Sequence, residues 1–172
     1  HFSGGGRGGF PLWRGEPRAP GRAPLPRFQT AMAADILVEV AEGIATVTLN
    51  RPQVLNALTP AVMGQLRDAV AQVEADPAVR VVVFTGAGRG FSSGGDKTFL
   101  AELTGMRPFE IKQAIYGAFA GGIKAVKLCG KPTIAAVNGA AVGAGCELAV
   151  ACDFRIAAES AVFLENWVHL GI

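Results

Sequence analysis

The segment Lys131–Asp153, KPTIAAVNGAAVGAGCELAVACD, restricts the fold more than any other part of the chain. Thr133–Val137 is a short run of β-branched and apolar residues behind a proline, the pattern of a buried strand. A glycine-rich turn, Gly139–Gly145, follows it. Cys146–Cys152 is then small and apolar apart from Glu147, and reads as a buried helix that opens near Gly143 or Ala144. Strand, glycine turn and buried helix in that order point to an α/β domain. In open α/β sheets, ligands bind beyond the carboxyl ends of the strands.

The turn has chemical potential. Glycines admit close approach of backbone and ligand. The first N–H groups of a helix have no partner within it, and the helix dipole adds to their attraction for negative charge. A carboxylate beside such donors can move a proton while they hold an oxyanion. The alternative is a packing turn with Glu147 in a salt bridge. Dinucleotide binding is disfavoured, because Leu148 stands where the third glycine of a G-x-G-x-x-G fingerprint belongs, and no GxxxxGK[ST] phosphate loop occurs.

The remaining elements are consistent with one α/β domain over residues 32–172. Ile36–Val40 and Ile44–Asn50 read as a hairpin around Ala41-Glu42-Gly43. Thr59-Pro60 is a helix start, with a capping hydroxyl and Pro at the first helical position. Val62, Leu66, Ala69, Val70 and Val73 give that helix one apolar face, and Asp76-Pro77 stops it. Val79–Thr85 reads as a strand, followed by a second glycine-rich loop, GAGRGFSSGGD (Gly86–Asp96). Lys97–Thr104 reads as a short helix. Pro108–Leu128 reads as a longer one, whose Gly117, Gly121 and Gly122 mark a kink or a surface that another backbone approaches. Phe154–Ala157 and Ala161–Phe163 read as short strands.

Residues 1–31 differ from the rest. They are rich in Gly, Pro and Arg without periodicity, a composition expected to be disordered. The piece SGGGRGGF resembles an arginine-glycine RNA-binding box, and the Arg-rich, acid-poor balance resembles a transit peptide, although five prolines oppose an amphipathic helix. The reading favoured is a leader or translated upstream sequence before Met32. These residues carry five arginines and one glutamate, so the overall charge of +2 says little about the folded part and gives no case for nucleic acid. The three cysteines form no CxxC pair and read as small, reduced, buried residues; no metal site is expected. No apolar run reaches the ~18 residues that span a membrane.

Three segments in this order, LNRPQVLNAL (Leu49–Leu58), VVVFTGAGRGFSSGGD (Val81–Asp96) and Lys131–Asp153, resemble the crotonase (enoyl-CoA hydratase/isomerase) superfamily. The resemblance implies an α/β fold, a spiral of repeated ββα units, here ending before the C-terminal helices. It implies an acyl-CoA thioester as substrate rather than a bound cofactor, a homotrimer or dimer of trimers, and a cytoplasmic or alternatively mitochondrial location. It implies an oxyanion hole from the backbone N–H groups of Ser93 and Ala144, with Gly143 beside it. Val54, Leu55 and Ala57 match the segment along the pantetheine. Ser93, Gly94, Gly95 and Asp96 match the loop at the adenine end, with Lys97 as a phosphate contact. Glu147 matches the first catalytic glutamate of the hydratases. Trp167 stands where the second belongs, which favours isomerisation over hydration and makes the indole a pocket wall. Glu165, two residues earlier on the same face of an extended segment, is the substitute acid, and His169 a weaker one. An RNA-binding relative and an inactive fragment are the alternative classes.

Overall fold

The computed structural model of the protein describes residues 34–166. The expectations for residues 1–31, Trp167 and His169 lie outside the described residues.

Strands β1 (Ile36–Ala41) and β2 (Ile44–Leu49) form the expected antiparallel hairpin, with Ile36 opposite Leu49 and Ala41 opposite Ile44. Its two-residue turn, Glu42-Gly43, has φ of 53° and 84°, the left-handed pair that suits strand twist. Helix α1 (Pro60–Ala75) starts where the sequence predicts. The Thr59 hydroxyl accepts the Val62 N–H at 3.2 Å, and Pro60 occupies the first turn, where its missing N–H costs nothing. Asp76 is extended ahead of Pro77, which ends the helix.

Strands β3 (Val81–Gly86), β4 (Thr133–Val137) and β6 (Phe154–Ala157) add in parallel to β2, giving the order β1-β2-β3-β4-β6. Period-two alternation buries Ala45, Val47, Leu49, Val82, Phe84, Ala135 and Val137 in one core with the α1 stripe Val62, Leu66, Val70 and Val73. Each fully buried Val, Leu or Phe there contributes about 1.5–3 kcal/mol.

The glycine turn after β4 is not irregular throughout. It holds a three-residue strand, β5 (Ala140–Val142), paired in parallel with β7 (Val162–Leu164). Strand β7 lies one residue later than the sequence pattern places it. Single bridges continue this small sheet: Ser92 pairs with Ala141, and Leu58 with Gly95. Successive passes of the chain thus give one strand to the large sheet and one extended stretch to the small one, the spiral of ββα units expected.

Helix α2 (Lys97–Leu103) follows the second glycine loop. The expected long helix after it is three pieces: α3 (Pro108–Ala114), a π-helical segment Ile115–Ala120 and α4 (Gly121–Lys127). Gly122 packs on α1, since a Cβ there would lie 2.6 Å from Met63 Cε and 3.1 Å from its carbonyl oxygen; Gly117 and Gly121 have no such neighbour. Helix α5 (Ala144–Ala151) is capped by Gly143. Its exit is tied to the start of β4. The Asp153 carboxylate accepts the Thr133 N–H and hydroxyl at 2.9 Å each, and these two bonds hold its pKa below the usual range.

Gly64, in α1, has open space around its Cα. Gly64→Ala is therefore expected to raise stability by about 0.5–1 kcal/mol through the helix interior alone. A thermal melt checks this; a lower melting temperature would contradict the open packing.

Candidate active site

The two glycine-rich loops leave adjacent strands, β3 and β4, and are stitched together. The Asn138 side chain donates to the carbonyls of Gly86 (2.9 Å) and Gly88 (3.0 Å) and accepts the Gly86 N–H. Ser92 N–H donates to Ala140 O, and Val142 N–H returns a bond to Ser92 O. Helix α5 sits hard on this junction, because a Cβ on Gly145 would fall 2.6 Å from Ser92 Cβ and 2.7 Å from its carbonyl oxygen. Only glycine permits that approach.

A third segment, 51–58, is bound to the same junction by Asn56. This residue is buried, with φ of 55°. Its amide donates to the carbonyls of Ala87 and Gly90 at 2.9 Å each, and its side-chain oxygen accepts the Arg51 N–H at 2.9 Å. The Ser92 hydroxyl donates to its backbone carbonyl at 2.8 Å. Asn56 was not singled out from the sequence, although Asn is one of the few non-glycine residues at home in the left-handed region.

The arrangement corrects the Ser93 donor. Ser93 N–H is bound to Leu55 O at 2.9 Å, so it is not available to a ligand. Gly94 N–H donates to the Ser92 hydroxyl and Asp96 N–H to Leu58 O. Gly95 differs. Its bridge to Leu58 is made by the flanking Gly94 carbonyl and Asp96 N–H, which directs Gly95's own N–H away from Leu58, and no acceptor among the described residues takes it. Ala144 is the first residue of α5, whose first internal bond runs from Glu147 N–H to Gly143 O. Its N–H has no intrahelical partner and lies 3.6 Å from where a Cβ on Gly94 would stand. Gly95 and Ala144 are thus open donors of the junction among the described residues.

Two cavities flank them. A groove of about 960 Å³ runs along the 51–61 segment and the start of α2. Of the residues expected to bind the thioester, Val54, Leu55, Ala57, Ser93, Gly95, Asp96 and Lys97 line it; Gly94, Gly143 and Ala144 are buried behind it. Arg51 and Arg89 also line it and were missed. The Arg51 guanidinium is committed, bonding Ala57 O at 2.6 Å, Asp96 at 3.1 Å and Asp35 at 3.6 Å. Lys97 and Arg89 make no ion pair among the described residues. A second cavity of about 920 Å³ is lined by Glu147 of α5 and by the π segment and α4. Phe99 of the groove and Phe119 of the second cavity stack at 5.4 Å, so the two share a wall.

Glu165 lies against the Cys146 thiol and does not line the Glu147 cavity. Burial pushes the Cys146 thiol up to about 11, and its hydrogen bond to the Glu165 carboxylate adds to this, so it stays a neutral thiol. Burial raises the Asp96 carboxyl, but the Thr98 N–H and Arg51 outweigh it and the net pKa is lowered. That sign means Asp96 stabilises the fold above the ordinary carboxylate pKa, and the contribution is lost as pH falls through its depressed value. Asp96→Asn should therefore cost about 1 kcal/mol at neutral pH and less in acid, read from melting curves across pH. An equal loss at both ends of the pH range would contradict the pairing.

Among the described residues no helix is long and apolar enough to cross a membrane, and no cluster of His, Cys, Asp and Glu could hold a metal ion.

Comparison with known proteins agrees with this architecture. The chain is 41% identical over 140 residues to a crotonyl-CoA hydratase of Syntrophomonas wolfei, covering 80% of this chain and 52% of that protein. Two solved structures superpose on it. An enoyl-CoA hydratase/isomerase from Xanthobacter autotrophicus Py2 has a TM-score of 0.76 at 38% identity, over 80% of this chain and 51% of its own. An enoyl-CoA hydratase from Bacillus anthracis has a TM-score of 0.73 at 36% identity, over 81% and 53%. The chain spans about half the length of these relatives. Residues 39–172 match the enoyl-CoA hydratase/isomerase family, a range that takes in the groove, both glycine loops and Glu147, and the chain belongs to that family.

Proposed function

We propose that the protein carrying this sequence acts on an acyl-CoA thioester, with the Gly95 and Ala144 N–H groups on the thioester oxygen and Glu147 as the main proton-transfer group. One observation carries this reading: two open backbone donors of the loop junction lie beside a carboxylate one helical turn past Ala144. Negative charge that develops on the thioester oxygen when the neighbouring carbon loses a proton is met by two fixed donors and the start of α5. The groove along Val54, Leu55 and Ala57 suits an extended pantetheine, and Lys97 and Arg89 are the cations that face its phosphates.

Among the described residues Glu147 is the one carboxylate that lines its cavity, which favours isomerisation. Glu147 takes a proton from C2 of a 3-enoyl thioester and returns it at C4, so the double bond moves into conjugation and no water is consumed. Hydration is the second reading. It is supported by the hydratase names of the relatives and by Glu165 lying one residue's reach away, on Cys146. Assay of 2-enoyl-CoA and 3-enoyl-CoA separates them. Near-normal rates in Glu165→Gln with 3-enoyl-CoA as the better substrate support isomerisation. Efficient hydration that is lost in Glu165→Gln replaces it with the two-carboxylate reaction.

A further inference from the structure

The cavity that holds Glu147 has a second charged end. Its walls are apolar, with Ile115, Phe119, Ile123 and Val150, and its rim carries Lys124 and Lys127. Both lysines are exposed, and neither makes an ion pair among the described residues. Lys127 acts electrostatically on Cys152 and Asp153, which places it beside the far end of α5, while Glu147 sits in the first turn. Asp153 also faces Lys127, while its carboxylate accepts the Thr133 N–H and hydroxyl. Glu147 and Ala151 both line the cavity, and the helix between them rises about 6 Å. From the proton-transfer end, the cavity therefore runs past apolar walls toward Lys127, with Lys124 one turn earlier on α4 also lining it.

A plain alkyl tail would leave those ammonium groups unused at its end, and an anion close to Glu147 would be repelled. An anion at the far end satisfies both. We propose that this cavity selects acyl groups that end in a carboxylate, ω-carboxyacyl thioesters of roughly five carbons by the rise of α5, with the terminal carboxylate on Lys124 and Lys127. This rests on the acyl-CoA reading above and adds the substrate class to it.

The test is isothermal titration of the full chain with glutaryl-CoA, its ω-methyl ester and pentanoyl-CoA. Glutaryl-CoA should bind about fivefold or more tightly than either neutral thioester, the scale for two exposed ion pairs, and added salt should shrink that ratio. In Lys124→Gln/Lys127→Gln the ratio should fall to about one, and in Lys124→Arg/Lys127→Arg it should persist. The wild-type comparison with the methyl ester needs no variant, so misfolding of a variant leaves the result readable. Equal binding of all three thioesters overturns the carboxylate proposal and leaves the acyl-CoA reading standing, as does a ratio that survives in the glutamine variant. Binding of none of them overturns both.

Discussion

Ala144→Pro is expected to lower turnover of an enoyl-CoA thioester by about 10²–10³-fold while the chain keeps its fold. Ala144 is the first residue of α5, and its N–H has no partner inside the helix. Proline is accepted at the first helical position for the same reason, so the substitution removes the donor and adds only the ring carbons at this buried site. The loss should fall on kcat, because the donor matters most when charge has built up on the thioester oxygen. Ser93→Ala is the control. Its backbone N–H is spent on Leu55 O, and its hydroxyl reaches Val54 O only at 3.4 Å, so removing that hydroxyl should change turnover little. A Ser93 variant as damaged as the Ala144 variant would return the donor role to Ser93. Circular dichroism of both variants establishes that the fold is retained.

Glu147→Gln is expected to reduce turnover by about 10²–10⁴-fold, the span of a lost general acid–base group. Glutamine keeps the size of the side chain and so the shape of the cavity, while its amide takes up no proton from carbon. Half-buried in the first turn of α5, Glu147 stands one turn past the Ala144 donor, on the cavity lined by Phe119 and Ile123. Exchange of the C2 hydrogens of a saturated acyl-CoA with deuterium oxide reads the proton transfer directly. That exchange should stop in Glu147→Gln and continue in Glu165→Gln. Exchange that depends on Glu165 instead would move the base to the carboxylate on Cys146.

The parts legible in the sequence were those written in local chemistry. Thr59-Pro60 announces α1 through a cap and a preset φ. Thr133–Val137 behind Pro132 shows a buried strand, and Gly143 marks the entry of α5. The parts that were not legible depend on distant partners or weak periods. Strand β5 is three small residues between glycines, too short to show alternation, and it exists because β7 and Ser92 pair with it. The π segment Ile115–Ala120 has the same apolar composition as the α-helices on either side, so no period distinguishes it. Ser93 reads as an open donor in sequence, but the Leu55 carbonyl, turned by left-handed φ at Leu55 and Asn56, captures its N–H from a remote segment. Asn56 and Arg51 belong to the same class: each is an ordinary polar residue in sequence, and each acquires its role from the loop it meets.

The most direct measurement is a crystal structure of the protein with a bound acyl-CoA thioester. The thioester oxygen should lie about 2.7–3.1 Å from both the Gly95 and Ala144 nitrogens, with the Glu147 carboxylate on the neighbouring carbon and Ser93 N–H still on Leu55 O. An oxygen held by only one of those nitrogens, or by a Ser93 N–H released from Leu55, would contradict it.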